Sequence, residues 1–266
     1  MKKVLFINQE ITPFVPETPL SLAGNHLPQA MTENGYEIRI FMPKWGCINE
    51  RRNQLHEVIR LSGMNLIIDD TDHQLIIKVA SIPTTRTQVY FIDNLDYFSS
   101  RRTMELNEKG VEYKDNGERA IFFVRGVLET VKKLCWAPDI IHCQGWMSAV
   151  LPYYIKTAYK DEPCFSDVKV VTSLFNSSLT GNFSRKFKKS LEFAEAKSNV
   201  LNNYSEQFNY TELVKLAIDY SDAIVEAIPD LCQELKDYSS KRDIPILKYQ
   251  ETENMGTAFS SFYESL

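Results

Sequence analysis

The sequence predicts an α/β protein in which a doubly wound, mostly parallel, Rossmann-like sheet contains an inserted antiparallel β meander. First, short apolar β-type runs alternate with amphipathic helical runs along most of the chain. Second, several β-type runs follow one another closely between residues 56 and 92, which is typical of a meander. Third, residues 138–158 form a strand–turn–helix pattern. Its polar turn belongs at the carboxyl edge of the sheet, where open α/β folds bind ligands.

The first part of the chain predicts a βαβ unit with a right-handed crossover. Residues 3–8 and 37–42 are apolar strands, and residues 20–34 have apolar side chains at helical spacing. The loop at residues 9–19 contains three prolines, so neither a helix nor a central strand is expected there. This loop has no GxGxxG or GxxxxGK pattern and therefore lacks a glycine-rich phosphate cradle.

The meander is predicted from β-type runs at residues 56–61, 64–68, 74–82 and 88–92. An acidic turn that contains Asp69, Asp70 and Asp72 separates two of these runs. Three carboxylates in one turn could bind a cation, but a solvated hairpin turn is the favoured interpretation.

The rest of the chain continues the alternation of strand and helix. Residues 95–115 are expected to be mostly loop, and residues 183–210 to be loop with some helix. The pattern predicts one domain over residues 1–240 and a tail, residues 241–266, whose helix packs back on that domain. The other predicted helices and strands cover residues 116–134, 139–142, 146–156, 168–172, 211 onward, 223–226, 229–238 and 252–266.

Composition and charge exclude several classes of protein. The net charge of −5 gives no electrostatic basis for binding nucleic acid or an anionic membrane. No apolar run approaches the roughly 20 residues of a membrane span, and the first apolar run is too short for a secretory signal. The cysteines are widely spaced without a CxxC pattern, so reduced thiols in a cytoplasmic protein are expected. The histidines are scattered, and the sequence predicts no metal site and no cofactor.

Five stretches of the sequence coincide in order and spacing with one family; they lie at residues 3–15, 27–45, 115–119, 138–146 and 215–222. Over most of residues 1–235 the chain resembles bacterial glycogen synthases and plant starch synthases. The resemblance implies a GT-B glycosyltransferase that transfers glucose from ADP-glucose to the end of an α-1,4-glucan. It also implies two Rossmann-like domains with the active site between them, of which residues 1–240 would be the N-terminal one.

The loop that would bind the donor phosphates is altered in this chain. The resemblance places the family's lysine, threonine and two glycines in the stretch that here reads Pro16, Glu17, Thr18 and Pro19. Proline supplies no N–H group, and a glutamate repels phosphate. A family aspartate near the sugar site falls at Leu22. These replacements predict that the loop does not bind a nucleotide-sugar donor.

The polar turn of the strand–turn–helix pattern supplies most of the candidate site residues. The resemblance matches His142 and Trp146 to a histidine and a tryptophan of the family. The later histidines of that turn fall at Gln144 and Met147, with Gly145 in place of an acid. Gln144 could still hydrogen-bond a sugar hydroxyl. The candidate substrate-binding residues are therefore His142, Gln144, Trp146 and, near a helix start, Arg119.

Three of these candidates have a structural alternative. His142 could be a packed histidine that bonds to the backbone, and Trp146 could be a core anchor at a helix start. Arg119 could form an ion pair with Asp115. No catalytic residue is assigned, because spacing alone assembles no Ser–His–Asp or Cys–His set.

Residues 241–266 are too few to form the nucleotide domain that the family would begin there. The resemblance then predicts a chain that lacks the nucleotide domain, keeps the returning tail helix and is inactive alone. Three hypotheses remain open: a transferase completed by another chain, an α-glucan-binding module without catalysis, and a protein-interaction module. The candidate partners are an α-glucan, a nucleotide-sugar, and a protein on the face that would meet the second domain.

Overall fold

The protein is described by a computed structural model that covers residues 1–83 and 85–266. Within these residues ten strands form a mixed sheet, against which the helices pack. The strands are β1 (Lys3–Asn8), β2 (Glu37–Pro43), β3 (His56–Glu57), β4 (Met64–Ile68), β5 (Thr71–Ser81), β6 (Gln88–Asp93), β7 (Ile140–Gln144), β8 (Lys169–Leu174), β9 (Ala223–Glu226) and β10 (Ile246–Leu247). The helices are α1 (Pro19–Glu33), α2 (Asn116–Lys133), α3 (Leu151–Lys156), α4 (Arg185–Leu191), α5 (Tyr210–Tyr220), α6 (Gln233–Ser240) and α7 (Thr252–Glu264).

The sheet order confirms the predicted fold class. The strands lie in the order β10-β9-β8-β7-β1-β2-β6-β5-β3, and β4 pairs with β5. Every pairing from β10 to β6 is parallel, whereas β5 pairs antiparallel with β3, β4 and β6. The antiparallel meander therefore leaves the parallel sheet after β2 and returns to it through β6.

The core lies around the central strands and α2. Val4, Leu5, Phe6 and Ile7 of β1 are fully buried, because β2 and β7 flank this strand. A parallel strand covered on both faces has a continuous apolar sequence, as β1 does. The first thirteen residues of α2 are all buried, since this helix packs against β2, β4, β6 and α4.

Most predicted elements differ from the observed ones by one to three residues at an end, and three others differ more in their extent. The predicted strand at residues 56–61 pairs only over β3, because the chain turns at Val58, whose carbonyl accepts from the N–H groups of Leu61 and Ser62. The predicted helix at residues 146–156 is a 3₁₀ turn (Trp146–Ser148) followed by α3. The last predicted helix before the tail begins at α6 rather than at its proline.

The end of the chain packs against the beginning. The α7 helix contacts α1, and its Phe259 and Tyr263 side chains are buried. The Tyr36 hydroxyl donates a hydrogen bond to Glu264 Oε1 at 3.0 Å. Residues 241–266 also add β10 to the sheet, beside β9. The division of the chain into residues 1–240 and 241–266 stays a prediction.

No helix in the described part of the chain is long and apolar enough to cross a membrane.

Candidate functional site

A cleft of about 410 Å³ lies at the carboxyl ends of β1, β7, β8 and β9. Its walls come mainly from the segments that directly follow these four strands. Parallel strands end at the same edge of a sheet, so these segments converge there although they are far apart in sequence. The lining residues that decide the chemistry of the cleft are Gln9, Glu10, Thr18, Glu105, Gly145, Trp146, Phe175, Asn176, Tyr210 and Asp230.

Glu10 belongs to the loop between β1 and α1, which forms one wall of the cleft. This residue is only 6% exposed. Its carboxylate accepts hydrogen bonds from Thr18 Oγ1 at 2.8 Å and from Gln9 Nε2 at 3.2 Å. Thr18 is also the N-cap of α1, since its Oγ1 accepts from the Ser21 N–H at 2.9 Å. Burial raises the pKa of the Glu10 carboxyl, and the two hydrogen bonds oppose that shift.

The turn after β7 requires a glycine. Gly145 has a φ of +85°, in the left-handed region that favours glycine. A Cβ atom at this position would lie 2.7 Å from the Gln9 Cβ and 3.0 Å from the Leu20 Cδ2. The close approach brings the turn against the loop after β1, and Trp146 follows it into the cleft wall.

Three aromatic side chains line the cleft: Trp146, Phe175 and Tyr210. The Tyr210 hydroxyl donates to the Phe175 carbonyl at 2.6 Å, which ties the start of α5 to the end of β8. Trp146 is 3% exposed, and its ring centroid lies 6.0 Å from that of Phe183. The Trp146 indole N–H has no hydrogen-bond partner among the described residues. An apolar, aromatic concavity with a few convergent polar groups is the usual form of a small-molecule site.

Every charged residue that lines the cleft is acidic. Glu10, Glu105 and Asp230 line it, and no Lys, Arg or His does so within residues 1–83 and 85–266. None of these three carboxylates forms a salt bridge in that part of the chain. The Glu105 Oε2 atom is buried without a hydrogen-bond partner there. Burial raises the pKa of Glu105, and the nearby Glu10 carboxylate raises it further.

The structure separates the four residues that the sequence offered as substrate-binding candidates. Trp146 lines the cleft. Gln144 instead lines a small cavity of about 20 Å³ beneath α7, where its Oε1 atom has no described partner. His142 is fully buried, and its ring nitrogens bond to the hydroxyls of Tyr263 and Ser173.

Arg119 is also fully buried, and it does not line the cleft. Its Nη1 donates to the Met104 carbonyl at 2.9 Å and to Asn116 Oδ1 at 2.7 Å. Burial lowers the pKa of Arg119 to about 10. The ion-pair partner of Asp115 is Arg101 and not Arg119, with nitrogen and oxygen 2.5 Å apart. The role of His142, Gln144, Trp146 and Arg119 in binding a substrate stays a prediction.

Sequence reasoning missed several cleft residues. Phe175 and Asn176 directly follow β8, so the rule that ligands bind at the carboxyl ends of parallel strands could have found them. Asp230 follows β9 in the same way. Glu105 lies in the long loop before α2, and no pattern in the sequence marks it.

The matches to known proteins decide the family. A family profile described as the starch synthase catalytic domain matches residues 3–244, which is most of the chain. The chain belongs to the starch synthase family. The family resemblance seen in the sequence is therefore confirmed.

Curated relatives of this starch synthase family domain are glycogen synthases. The glycogen synthase of Chlorobium limicola is 42% identical over 174 residues, which are 65% of this chain and 36% of that protein. The glycogen synthase of Chlorobaculum parvum is 33% identical over 234 residues, which are 88% of this chain and 47% of that protein. The chain thus spans less than half the length of these relatives.

A solved structure shows the same fold. It is the catalytic domain of Starch Synthase IV from Arabidopsis thaliana bound to ADP and acarbose. The two chains superpose with a TM-score of 0.70 at 19% sequence identity, over 95% of this chain and 52% of the other. The likeness supports the Rossmann-like GT-B architecture of the starch synthase family.

In this starch synthase family domain, the loop that the resemblance assigns to the donor phosphates is used to start a helix. Pro16 and Glu17 are exposed, Thr18 caps α1, and Pro19 is the first residue of the helix. Proline suits that position because its missing N–H would have no helical partner anyway. Among these residues only Thr18 and Pro19 line the cleft.

Proposed function

We propose that this chain is a starch-synthase-type domain, in effect a pseudoenzyme, that binds an α-glucan in its cleft and does not transfer glucose by itself. The observation that carries the proposal is the composition of the cleft. Its aromatic faces, hydroxyls and amides suit a neutral sugar, whereas its charged lining residues are all acidic.

The same acidic lining opposes the phosphates of ADP-glucose. Two like charges 4 Å apart repel by about 4 kcal/mol at the effective dielectric constant of a protein surface. The start of α1 could attract an anion through its free N–H groups. However, the Thr18 side chain already occupies the N–H of Ser21, and its hydroxyl holds the Glu10 carboxylate beside it. A donor phosphate would therefore meet a carboxylate at this helix end.

A calorimetric titration with maltohexaose and, separately, with ADP-glucose tests the proposal. We expect maltohexaose to bind and ADP-glucose to give no heat of binding. Binding of ADP-glucose would contradict the interpretation of the loop around Pro16 and Pro19. Absence of maltohexaose binding would contradict the proposed glucan site.

A pair of tryptophan variants locates the site. Trp146→Phe keeps an aromatic side chain in the cleft wall but offers a smaller ring face for a sugar to pack on. The smaller face should weaken maltohexaose binding about two- to tenfold. Trp136→Phe is the matched control, because Trp136 is equally buried but packs against Lys3 and Arg39 outside the cleft. Equal effects of the two substitutions would exclude the cleft as the glucan site.

A second candidate function is a glycosyltransferase that another polypeptide segment completes. The solved relative with this fold is bound to ADP, and the chain matches only about half of that relative. The family reaction would then be glucose transfer from ADP-glucose to an α-1,4-glucan end. It predicts turnover of ADP-glucose when the second half is supplied, and no turnover under that condition would exclude it.

Two further parts of the proposal concern partners and compartment. If neither maltohexaose nor ADP-glucose binds, a protein partner on the open face of the cleft becomes the remaining hypothesis.

We place the protein in the cytoplasm, and two observations support this. The five cysteines are unpaired in the structure, and the curated relatives are bacterial glycogen synthases.

A further inference from the structure

Two cysteines lie at the edge of the sheet opposite the cleft. Cys135 follows α2 and precedes β7, and Cys164 belongs to the loop that precedes β8. Since β7 and β8 are paired parallel strands, the segments before them reach the same edge of the sheet. The cleft lies at the carboxyl edge, so the proposed function makes no use of these two thiols.

Two contacts join the segments that carry these cysteines. The Cys164 thiol donates to the carbonyl oxygen of Trp136, the residue next to Cys135, with sulfur and oxygen 3.6 Å apart. Lys132, on the other side of Cys135 in the chain, forms a salt bridge of 3.2 Å with Glu162. Cys135 therefore lies between two contacts to the segment that holds Cys164. Neither cysteine belongs to a helix or a strand, so a bond between them requires no regular element to move.

The surroundings of the two thiols give them different roles. Cys135 is exposed, so a dissolved oxidant can reach it, whereas Cys164 is only partly exposed. Burial raises the pKa of the Cys164 thiol, and the nearby Cys135 thiol raises that pKa further. Since the thiolate is the attacking form, Cys135 reacts first with an oxidant and Cys164 attacks second.

We propose that Cys135 and Cys164 form a reversible disulfide bond with each other when the protein meets a low-molecular-weight disulfide. The Cys135 thiolate attacks one sulfur of the oxidant and forms a mixed disulfide. The S–S bond of the oxidant breaks, and the thiolate that leaves takes up a proton. The Cys164 thiol then loses its proton and attacks the Cys135 sulfur, which forms the new bond and releases the second thiol. The two protein thiols lose two electrons, which reduce the oxidant to two thiols.

The bond would fasten together the segments that lead into two neighbouring strands. It closes a loop of about 30 residues, which removes conformational freedom from the unfolded chain. The oxidised protein should therefore have a Tm about 5 °C or more above that of the reduced protein. Maltohexaose binding should not change, because both cysteines lie at the amino edge of the sheet and the cleft lies at the carboxyl edge.

Peptide mapping without reduction tests the proposal. The folded protein is incubated with glutathione disulfide, its remaining thiols are alkylated, and its tryptic peptides are analysed by mass spectrometry. We expect residues 134–156 and 161–169 to be linked through Cys135 and Cys164. Cys143 is in the first of these peptides, so fragmentation of the linked pair must place the bond at Cys135. Dithiothreitol should break the link and return the Tm to that of the reduced protein.

Three serine variants assign the link. Cys135→Ser and Cys164→Ser each remove one partner, so each should abolish both the link and the rise in Tm. Cys232→Ser is the matched control, because Cys232 is an exposed cysteine just before α6. This variant should form the link as the unsubstituted protein does. Thermal unfolding of the reduced variants verifies that each is folded before its peptides are interpreted.

The outcomes separate this inference from the proposed function. Glutathione found on the exposed Cys47 and Cys232 verifies that the oxidant was active. Under those conditions, glutathione on Cys135 without a link to Cys164 would overturn the inference, because the two sulfur atoms would then not meet in the folded protein. A link that forms only in urea would overturn it for the same reason. Absence of maltohexaose binding would overturn the glucan site and leave the disulfide unaffected.

Discussion

His142 is held in its neutral form by its surroundings. Its Nε2 atom bonds to Ser173 Oγ at 2.7 Å, and its Nδ1 atom bonds to the Tyr263 hydroxyl. The ring also stacks between Phe6 and Phe259, with centroids 5.6 and 5.9 Å away. Burial lowers the pKa of His142 to about 3, so the folded protein binds no proton there near neutral pH.

This histidine should make the stability of the protein depend on pH. Between about pH 3 and pH 6.5 the unfolded chain binds a proton at His142 that the folded chain does not bind. Its contribution to stability is therefore fully present above about pH 6.5 and is lost as the pH falls, by about 1.4 kcal/mol per pH unit. His142→Gln removes the titrating group. The variant should be less stable at neutral pH but should lose stability less steeply toward acid.

Urea unfolding at several pH values between neutrality and about pH 5 measures this slope. His56→Gln, at an exposed position on β3, controls for the loss of one histidine. If His142→Gln and the unsubstituted protein show the same slope, His142 is not held neutral in the folded state.

The sequence predicts where a candidate residue lies along the chain better than it predicts what its side chain contacts. His142 is in a strand that sequence reasoning located, next to the turn that it singled out. The direction of its side chain could not be predicted, because the residues that contact its ring come from β1, β8 and α7, which are distant in sequence. Trp146 follows a glycine turn at the strand end, so its position in the cleft wall follows from local structure.

At the level of elements, both backbone geometry and close packing require a glycine in the turn after β7. Gly145 has a positive φ, and it also lies against Gln9 and Leu20. Gly35, after α1, has a nearly identical φ of +84° but no atom within 4 Å of where a Cβ would be. Gly35 is therefore required only by its left-handed backbone, whereas Gly145 is required both by its backbone and by the lack of space for a Cβ atom.

Alanine substitution at both glycines should give different losses of stability. Gly35→Ala should cost about 1 kcal/mol, because only the left-handed backbone is disfavoured. Gly145→Ala should cost about 3 kcal/mol, because the added Cβ also overlaps the Gln9 side chain. Urea unfolding of the two variants measures the difference. Equal losses of stability would mean that the loop after β1 moves enough to make room for the added Cβ atom.

Elements with strong local signals were predicted better than those that depend on tertiary contacts. β1, β4 and β9 have the predicted bounds, because each is a compact apolar or β-branched run between turn residues. β10 was missed, since two residues give no periodicity and it exists only through its pairing with β9. The bounds of α3 and α6 were also missed, because prolines near their starts fit both a turn and a first helical position.

At the scale of the whole molecule, α7 joins the two ends of the chain. Tyr263 lies over β7, and the α7 helix packs on α1, which begins at the cleft. Lys2 Nζ donates to the Tyr263 carbonyl at 3.0 Å. The sequence predicted a tail helix from its apolar spacing, but the spacing could not show which surface it would cover.

Two phenylalanines of α7 test how much this packing stabilises the fold. Phe259 is buried against His142 and Tyr263, so Phe259→Ala should cost about 3 kcal/mol or more. Phe262 on the same helix is only partly buried, and Phe262→Ala should cost clearly less. Unfolding in urea measures both. Similar small losses would show that α7 frays from the rest of the protein without affecting its stability.

The two ends of the sheet have a consequence for behaviour at high concentration. The outermost strands, β3 and β10, are each only two residues long. An edge strand exposes unpaired N–H and C=O groups, which can template pairing with a strand of another molecule. Two residues offer too few such groups for a lasting intermolecular ladder. These two edges of the sheet therefore resist growth into aggregates. The five-residue strand β4 pairs only with β5 among the described residues, so we expect any intermolecular strand pairing at high concentration to begin there.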